Sequence, residues 1–228
     1  MNHSAISADI ISFTSLGQKD KREIEQKIQY LLEHLAQQYS SIHFYGRIVQ
    51  GDTIECAMTS PTYALRVALL LKTYIKSIEL SEQTEKDNRV KYFKEYGIRA
   101  AIAVAPLSVF DDMNGIIDGE AIYMSGRAIK HMSTSNKQKI VVKDTLFFRS
   151  KNEEEQEKFE SIFSLLDAII SKCSQKQSEV LFYKLSGLNE KEISLKMNRN
   201  QSTISQHSSA ASWNAIEKSV NYFEKYIQ

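Results

Sequence analysis

Four polar side chains near the end of the sequence, Gln201, Ser202, Ser205 and Gln206, have a spacing that gathers them on the front of one helix. Ahead of them Asn198-Arg199-Asn200 turns the chain, and Asn200 is a good N-cap for a helix opening at Gln201. A short helix, Glu190 to Met197, precedes the turn, with Asn189 and Glu192 forming a capping-box pattern at its start. Gly187 suits the left-handed position that closes the helix before it. Ile193, Met197 and Ile204 are placed to fill the crossing point of the two helices. A short helix, a tight turn and a second helix with a polar front fit a recognition element in a DNA major groove. In that setting Gln reads adenine edges and Ser contacts several bases, while Lys191, Arg199 and Thr203 hold phosphates. A three-helix module for protein contacts fits the same pattern, because the second helix carries little positive charge.

The rest of the chain must position this element. Ser4 to Ser12 reads as a buried strand holding one isolated carboxylate, Asp9. Ile24, Ile28, Leu31, Leu32 and Leu35 recur at helical spacing. Two β-rich runs follow, broken at Gln50-Gly51-Asp52, a hairpin signal in which Gly51 supplies positive φ. Pro61 then leads into a helix that is apolar almost all round. The charged stretch Ser81 to Lys91 reads as a loop, and Gly97 to Pro106 as a buried strand. After a further turn-rich loop come a helix at Gly119 to Met132 and a short strand at Lys139 to Val142. The order β-α-β-β-α-β with additions predicts an α+β, ferredoxin-like sheet domain over residues 1–150. Residues 151–172 are expected to be a linker helix, regular from Phe159, and 173–228 a small all-α helix-turn-helix domain with a long last helix. In that helix Trp213, Ile216, Val220, Phe223 and Ile227 form an apolar seam, either a dimerisation stripe or packing on the chain's own body.

Charge is divided unevenly. Residues 171–228 hold eight Lys/Arg against five Asp/Glu, whereas 1–170 hold 21 against 23. The modest basic excess therefore falls where a phosphate-facing domain needs it. Cys56 and Cys173 are too few for a disulfide framework and lack metal-ligand spacing, as do the five histidines. No apolar run is long enough to span a membrane and no leader pattern opens the chain, so a cytoplasmic protein is expected.

The segment with Glu179-Val180-Leu181, Gly187-Leu188-Asn189-Glu190-Lys191-Glu192-Ile193 and Ser202-Thr203-Ile204-Ser205-Gln206-His207 resembles the LuxR-type and sigma-factor fourth-region helix-turn-helix families. The resemblance implies double-stranded DNA as a partner.

Ala8-Asp9-Ile10-Ile11-Ser12-Phe13-Thr14-Ser15-Leu16, Gly51-Asp52, Gly97 to Ala103 and Gly119 to Arg127 resemble, in order, the site-forming segments of class III nucleotide cyclases. That resemblance implies that Asp9 and Asp52 hold Mg²⁺ with a nucleoside triphosphate, and that Arg127 stabilises charge on the transferring phosphoryl group. It also implies a head-to-tail homodimer. The chain departs from the family by placing Tyr123 at its asparagine position, Glu120 at its aspartate position and Ile48 where a base-reading residue belongs. These departures imply a domain that keeps the fold, with Tyr123 and Glu120 lining a ligand pocket, but lacks efficient cyclisation. Ala8-Asp9-Ile10, Gln50-Gly51-Asp52 and Asp118-Gly119-Glu120-Ala121 with Arg127-Ala128 also resemble the SatD family, which implies a regulatory role. The combined expectation is a DNA-binding transcriptional regulator with a non-catalytic, cyclase-like sensor or dimerisation domain. An active cyclase and a protein-interaction adaptor are the alternatives.

Overall fold

The computed structural model describes residues 2–82, 84, 87–133 and 144–227. Five strands form the main sheet: β1 (His3–Ile10), β2 (Tyr45–Val49), β3 (Thr53–Met58), β4 (Ile98–Ala105) and β7 (Leu146–Ser150), in the order β2-β3-β1-β4-β7. All neighbours are antiparallel except β4 and β7, which run parallel. Helices α1 (Gln18–Gln38) and α2 (Ala64–Lys76) join the first four strands as β1-α1-β2-β3-α2-β4, a ferredoxin-like plan with β7 added at its edge. The first hairpin turns at Gln50-Gly51-Asp52, with both Gln50 and Gly51 at positive φ.

Period-two alternation divides the sheet's two faces. Ile6, Ile54 and Ile102 point into the large core shared with α1 and α2. The opposite face presents Ala5 and Ala105 to Ala121 of helix α4 (Glu120–Ser133). Small residues bring that helix close enough for Ser7 Oγ and Ser125 Oγ to share a 2.8 Å hydrogen bond.

The turn-rich loop after β4 corrects to a second hairpin, β5 (Leu107–Asp111) and β6 (Ile116–Gly119). Gly119 must be glycine there: at φ 136° an added Cβ would lie 2.5 Å from the Ser108 backbone nitrogen. The charged loop expected to reach Lys91 gives way at Val90 to helix α3 (Val90–Tyr96). The strand expected at 139–142 lies outside the described residues, and the strand that pairs with β4 is β7.

Residues 151–172 contain helix α5 (Glu153–Lys172), whose regular structure starts before the expected Phe159. Its N-cap Asn152 accepts from the Glu154 and Glu155 backbone amides, and Glu153, Glu154 and Glu155 in the first turn suit the helix's positive end. Phe159, Phe163, Leu166 and Ile170 are buried, so α5 packs into the main core. Helices α6 (Gln175–Leu185), α7 (Glu190–Lys196), α8 (Gln201–Ala210) and α9 (Trp213–Tyr226) follow. The α9 seam packs on the chain's own body: Trp213, Ile216, Val220, Phe223 and Ile227 are buried, and Phe223 meets Phe159 at 4.8 Å between ring centres. These residues therefore offer no free stripe for dimerisation.

One helix anchors both halves of the chain. From α2, Arg66 pairs with Glu224 of α9 at 2.6 Å and donates to the Leu185 carbonyl, at the end of α6, at 3.2 Å. Lys72, fully buried, donates to the Tyr96 and Ile98 carbonyls and to Thr145 Oγ1, with Asp167 of α5 at 3.4 Å. Lys76 donates to the Ile170 and Ser171 carbonyls at the end of α5.

Candidate functional sites

The α7–α8 pair is fixed by its ends and its small core. Gly187 sits at φ 89°, and the Gly187 and Leu188 amides return to the Lys184 and Tyr183 carbonyls, closing α6 in a Schellman arrangement. Asn189 and Glu192 make the full capping box at α7. Asn198, at φ 49°, repeats the closure, its own amide and that of Arg199 returning to the Leu195 and Ser194 carbonyls. Asn200 is the N-cap of α8 by position only, since its side chain accepts no capping hydrogen bond. Val180, Ile193 and Ile204 are fully buried at the crossing, with Met197, Tyr183 and Leu188 packed around them.

With the apolar side of α8 committed inward, Gln201, Ser202 and Gln206 stand exposed, and Thr203 and Ser205 are half-buried. Arg199 and Thr203 share a groove of about 490 Å³ with Lys176, Asn198, Asn200 and His207. Lys191 is exposed on the first turn of α7, outside the lining of that groove. Lys176 is the basic residue that sequence reasoning misses here. It comes from α6, and no local pattern announces that α6 packs beside the turn.

The second site lies at the end of β1. Asp9 pairs across the sheet with Arg99, and its Oδ2 accepts from Arg99 Nη1 at 3.2 Å. Asp52 is brought alongside by the hairpin: the Ile10 amide donates to the Asp52 carbonyl at 2.9 Å. Asp9 Oδ1 and Arg99 Nε are buried yet have no hydrogen-bond partner among the described residues. An unpaired buried acceptor beside an unpaired buried donor fits a ligand that carries both a cation and an anionic oxygen. Two hard carboxylates suit Mg²⁺, which keeps several non-protein oxygens. Among the described residues no group of three or more His, Cys, Asp and Glu could hold a metal by itself, so the remaining ligands would come from the bound anion and water.

Burial holds the Asp9 carboxyl above its ordinary range; the Arg99 charge opposes this and the Asp52 charge adds to it. The folded state therefore binds this proton more tightly than the unfolded state. Stability from Asp9 is present at low pH and is lost as pH rises from the ordinary value through the raised one. Asp9→Asn is expected to flatten the segment of the stability profile that runs upward in pH from the ordinary carboxylate value, as read by urea titrations at a series of pH values. Parallel profiles for the two proteins would refute the assignment.

The other residues expected at this site are carried by α4. Arg127 is exposed on α4. The Tyr123 hydroxyl donates to Asp118 Oδ1, an exposed contact, and Glu120 pairs with Lys151 at 2.5 Å on the surface. The structure thus joins Asp9, Asp52 and Arg99, and Arg99 is the member that sequence reasoning leaves out.

The chain is a mixed α+β protein with a ferredoxin-like sheet and an adjoining helical array. It matches no protein-family model and no curated protein. Among solved structures it is similar to the dimeric guanylyl cyclase domain of the RhoGC fusion protein from the aquatic fungus Blastocladiella emersonii, with 17% identity, a TM-score of 0.41, and coverage of 60% of this chain and 75% of that one. The guanylate cyclase domain of RhGC from Catenaria anguillulae, solved with GTP, gives 17% identity and a TM-score of 0.40 over 60% and 74% of the two chains. A bacterial light-regulated adenylyl cyclase gives 10% identity and a TM-score of 0.41 over 64% and 74%. No helix among the described residues is long and apolar enough to cross a membrane.

Proposed function

We propose that the chain is a DNA-binding transcriptional regulator that reads double-stranded DNA with α8. The observation that carries this reading is the polar front of α8: Gln201, Ser202 and Gln206 are exposed, while Ile204 behind them is fully buried against Val180 and Ile193. Arg199 in the turn and Lys191 on α7 flank that front and are exposed, so they can hold phosphates. Neutral amides and hydroxyls on the reading helix favour base contacts over backbone attraction. Electrophoretic mobility shifts on the protein's own upstream region test the proposal. Gln201→Ala with Gln206→Ala is expected to weaken specific binding by about 30-fold or more, since each good amide–base pair contributes about 1–3 kcal/mol. Arg199→Ala should instead weaken binding to every sequence alike and reduce its salt dependence. Unchanged affinity in both variants would leave a protein-interaction adaptor in its place.

In this reading the sheet half is a nucleotide sensor and a contact surface for a homodimer, without efficient cyclisation. Active cyclisation of a nucleoside triphosphate with Mg²⁺ is the second reading. It is favoured by the unpaired Asp9 Oδ1 and Arg99 Nε beside Asp52. When bound, Mg²⁺ would neutralise polyphosphate charge as the ribose 3′-hydroxyl bonds to the α-phosphorus, loses its proton and displaces pyrophosphate. The chain's own part would be to hold the cation with Asp9 and Asp52 and to donate to a phosphate oxygen from Arg99. Incubation with each nucleoside triphosphate and Mg²⁺ or Mn²⁺ separates the two: a cyclic product lost in Asp9→Asn establishes the enzyme, and nucleotide binding without product supports the sensor.

A further inference from the structure

A cavity of about 230 Å³ opens where α2, α3 and the start of α6 meet. Ile78, Leu80 and Phe93 give it an apolar wall. Its polar lining is Lys76, Lys94, Ser174 and Gln175, with no carboxylate among the described residues that line it. Lys76 is only 2% exposed, and its ammonium donates to the Ile170 and Ser171 carbonyls at 2.6 and 2.8 Å. An ammonium has three N–H donors, so one remains beyond those two bonds. Burial pushes Lys76 down to about 8, which means that the site disfavours its own positive charge and gains from a nearby anion. Lys94 stands on the exposed side of α3. At about 30 Å³ per water-sized group, the space takes a molecule of roughly seven or eight such groups.

We propose that this cavity binds a small carboxylate with an apolar body, its hydrocarbon part against Ile78, Leu80 and Phe93 and its carboxylate toward Lys76 and Lys94. A compact singly charged head suits two lysines above an apolar wall. Glu95 and Asp167 already favour the charged form of Lys76, and a carboxylate in the cavity would add to them where a neutral molecule would not. The site is separate from both Asp9 and α8. Gln175 Nε2 donates to the Ser77 carbonyl at 3.1 Å beside it, so the ligand would sit where the sheet half meets the helical array.

The test is a titration of the full-length protein with hexanoate, hexan-1-ol and acetate, followed by amide shifts in ¹H–¹⁵N spectra. Hexanoate is expected to move the amides of Ile78, Leu80, Phe93 and Ser174, with affinity at least about tenfold above that of hexan-1-ol and of acetate. Leu80→Trp, which fills the cavity, should abolish the response. Lys94→Gln, an exposed change that keeps the fold, should weaken hexanoate about threefold or more and leave hexan-1-ol unchanged. Equal affinity for the acid and the alcohol, shifts centred elsewhere, or no shifts at millimolar hexanoate would each overturn the proposal.

Discussion

Replacing Asp167 with alanine is expected to remove about 3–5 kcal/mol of stability, because it strands a fully buried ammonium. Lys72 is 0% exposed, and Asp167 is the carboxylate that faces it, at 3.4 Å. Asp167 also accepts from the Thr145 backbone amide and hydroxyl, so its loss leaves further buried donors unpaired. Burial already pushes the Lys72 ammonium below its ordinary range, with Asp167 the main opposing influence. Urea denaturation at neutral pH measures the loss. The double variant Lys72→Met with Asp167→Leu should recover part of it, since two apolar groups leave no charge behind. A loss below about 1 kcal/mol for Asp167→Ala would mean that water reaches Lys72 and that the ion pair is not buried in solution.

Phe223→Ala is expected to cost about 3–5 kcal/mol, the range for truncating a fully buried aromatic ring. Phe223 is 0% exposed and touches Phe148, Phe159 and Phe163, with ring centres 4.8 to 5.8 Å apart. Its partners come from β7 and α5, so the loss is one of folding within a single chain. The midpoint shift on thermal or urea unfolding should therefore be independent of protein concentration. A shift that grows on dilution would place the α9 seam at an interface between copies.

Elements with strong local signals are the ones legible in the sequence. β1, α1, the first hairpin and the α7–α8 pair are announced by a β-branched run, helical spacing, a turn glycine and two caps. The capping box at Asn189 and the left-handed Gly187 stand where those signals put them. The β5–β6 hairpin is hidden because its strands are short and mostly half-buried or exposed, so no clear apolar alternation marks them. The start of α5 is hidden because Glu153, Glu154 and Glu155 read as a solvated linker, although acidic residues suit a helix's first turn. Arg99 cannot be read as part of a site, since only the pairing of β1 with β4 sets it against Asp9. Lys72 and Lys76 look like polar interruptions of an apolar helix. Their role depends on partners 24 to 95 residues away.

Arg66, Lys72 and Lys76 together fasten α5, the end of α6 and α9 to the helix that covers the sheet. Turning α6 and α8 together relative to the sheet would therefore mean breaking the bond from Arg66 to the Leu185 carbonyl at the end of α6. A swivel of the α6–α8 unit within one chain therefore carries a cost. If two copies bind DNA together, the distance between their reading helices belongs to the way whole molecules sit side by side. An operator with altered spacing must then be met by the DNA's own twist and bend, or not at all.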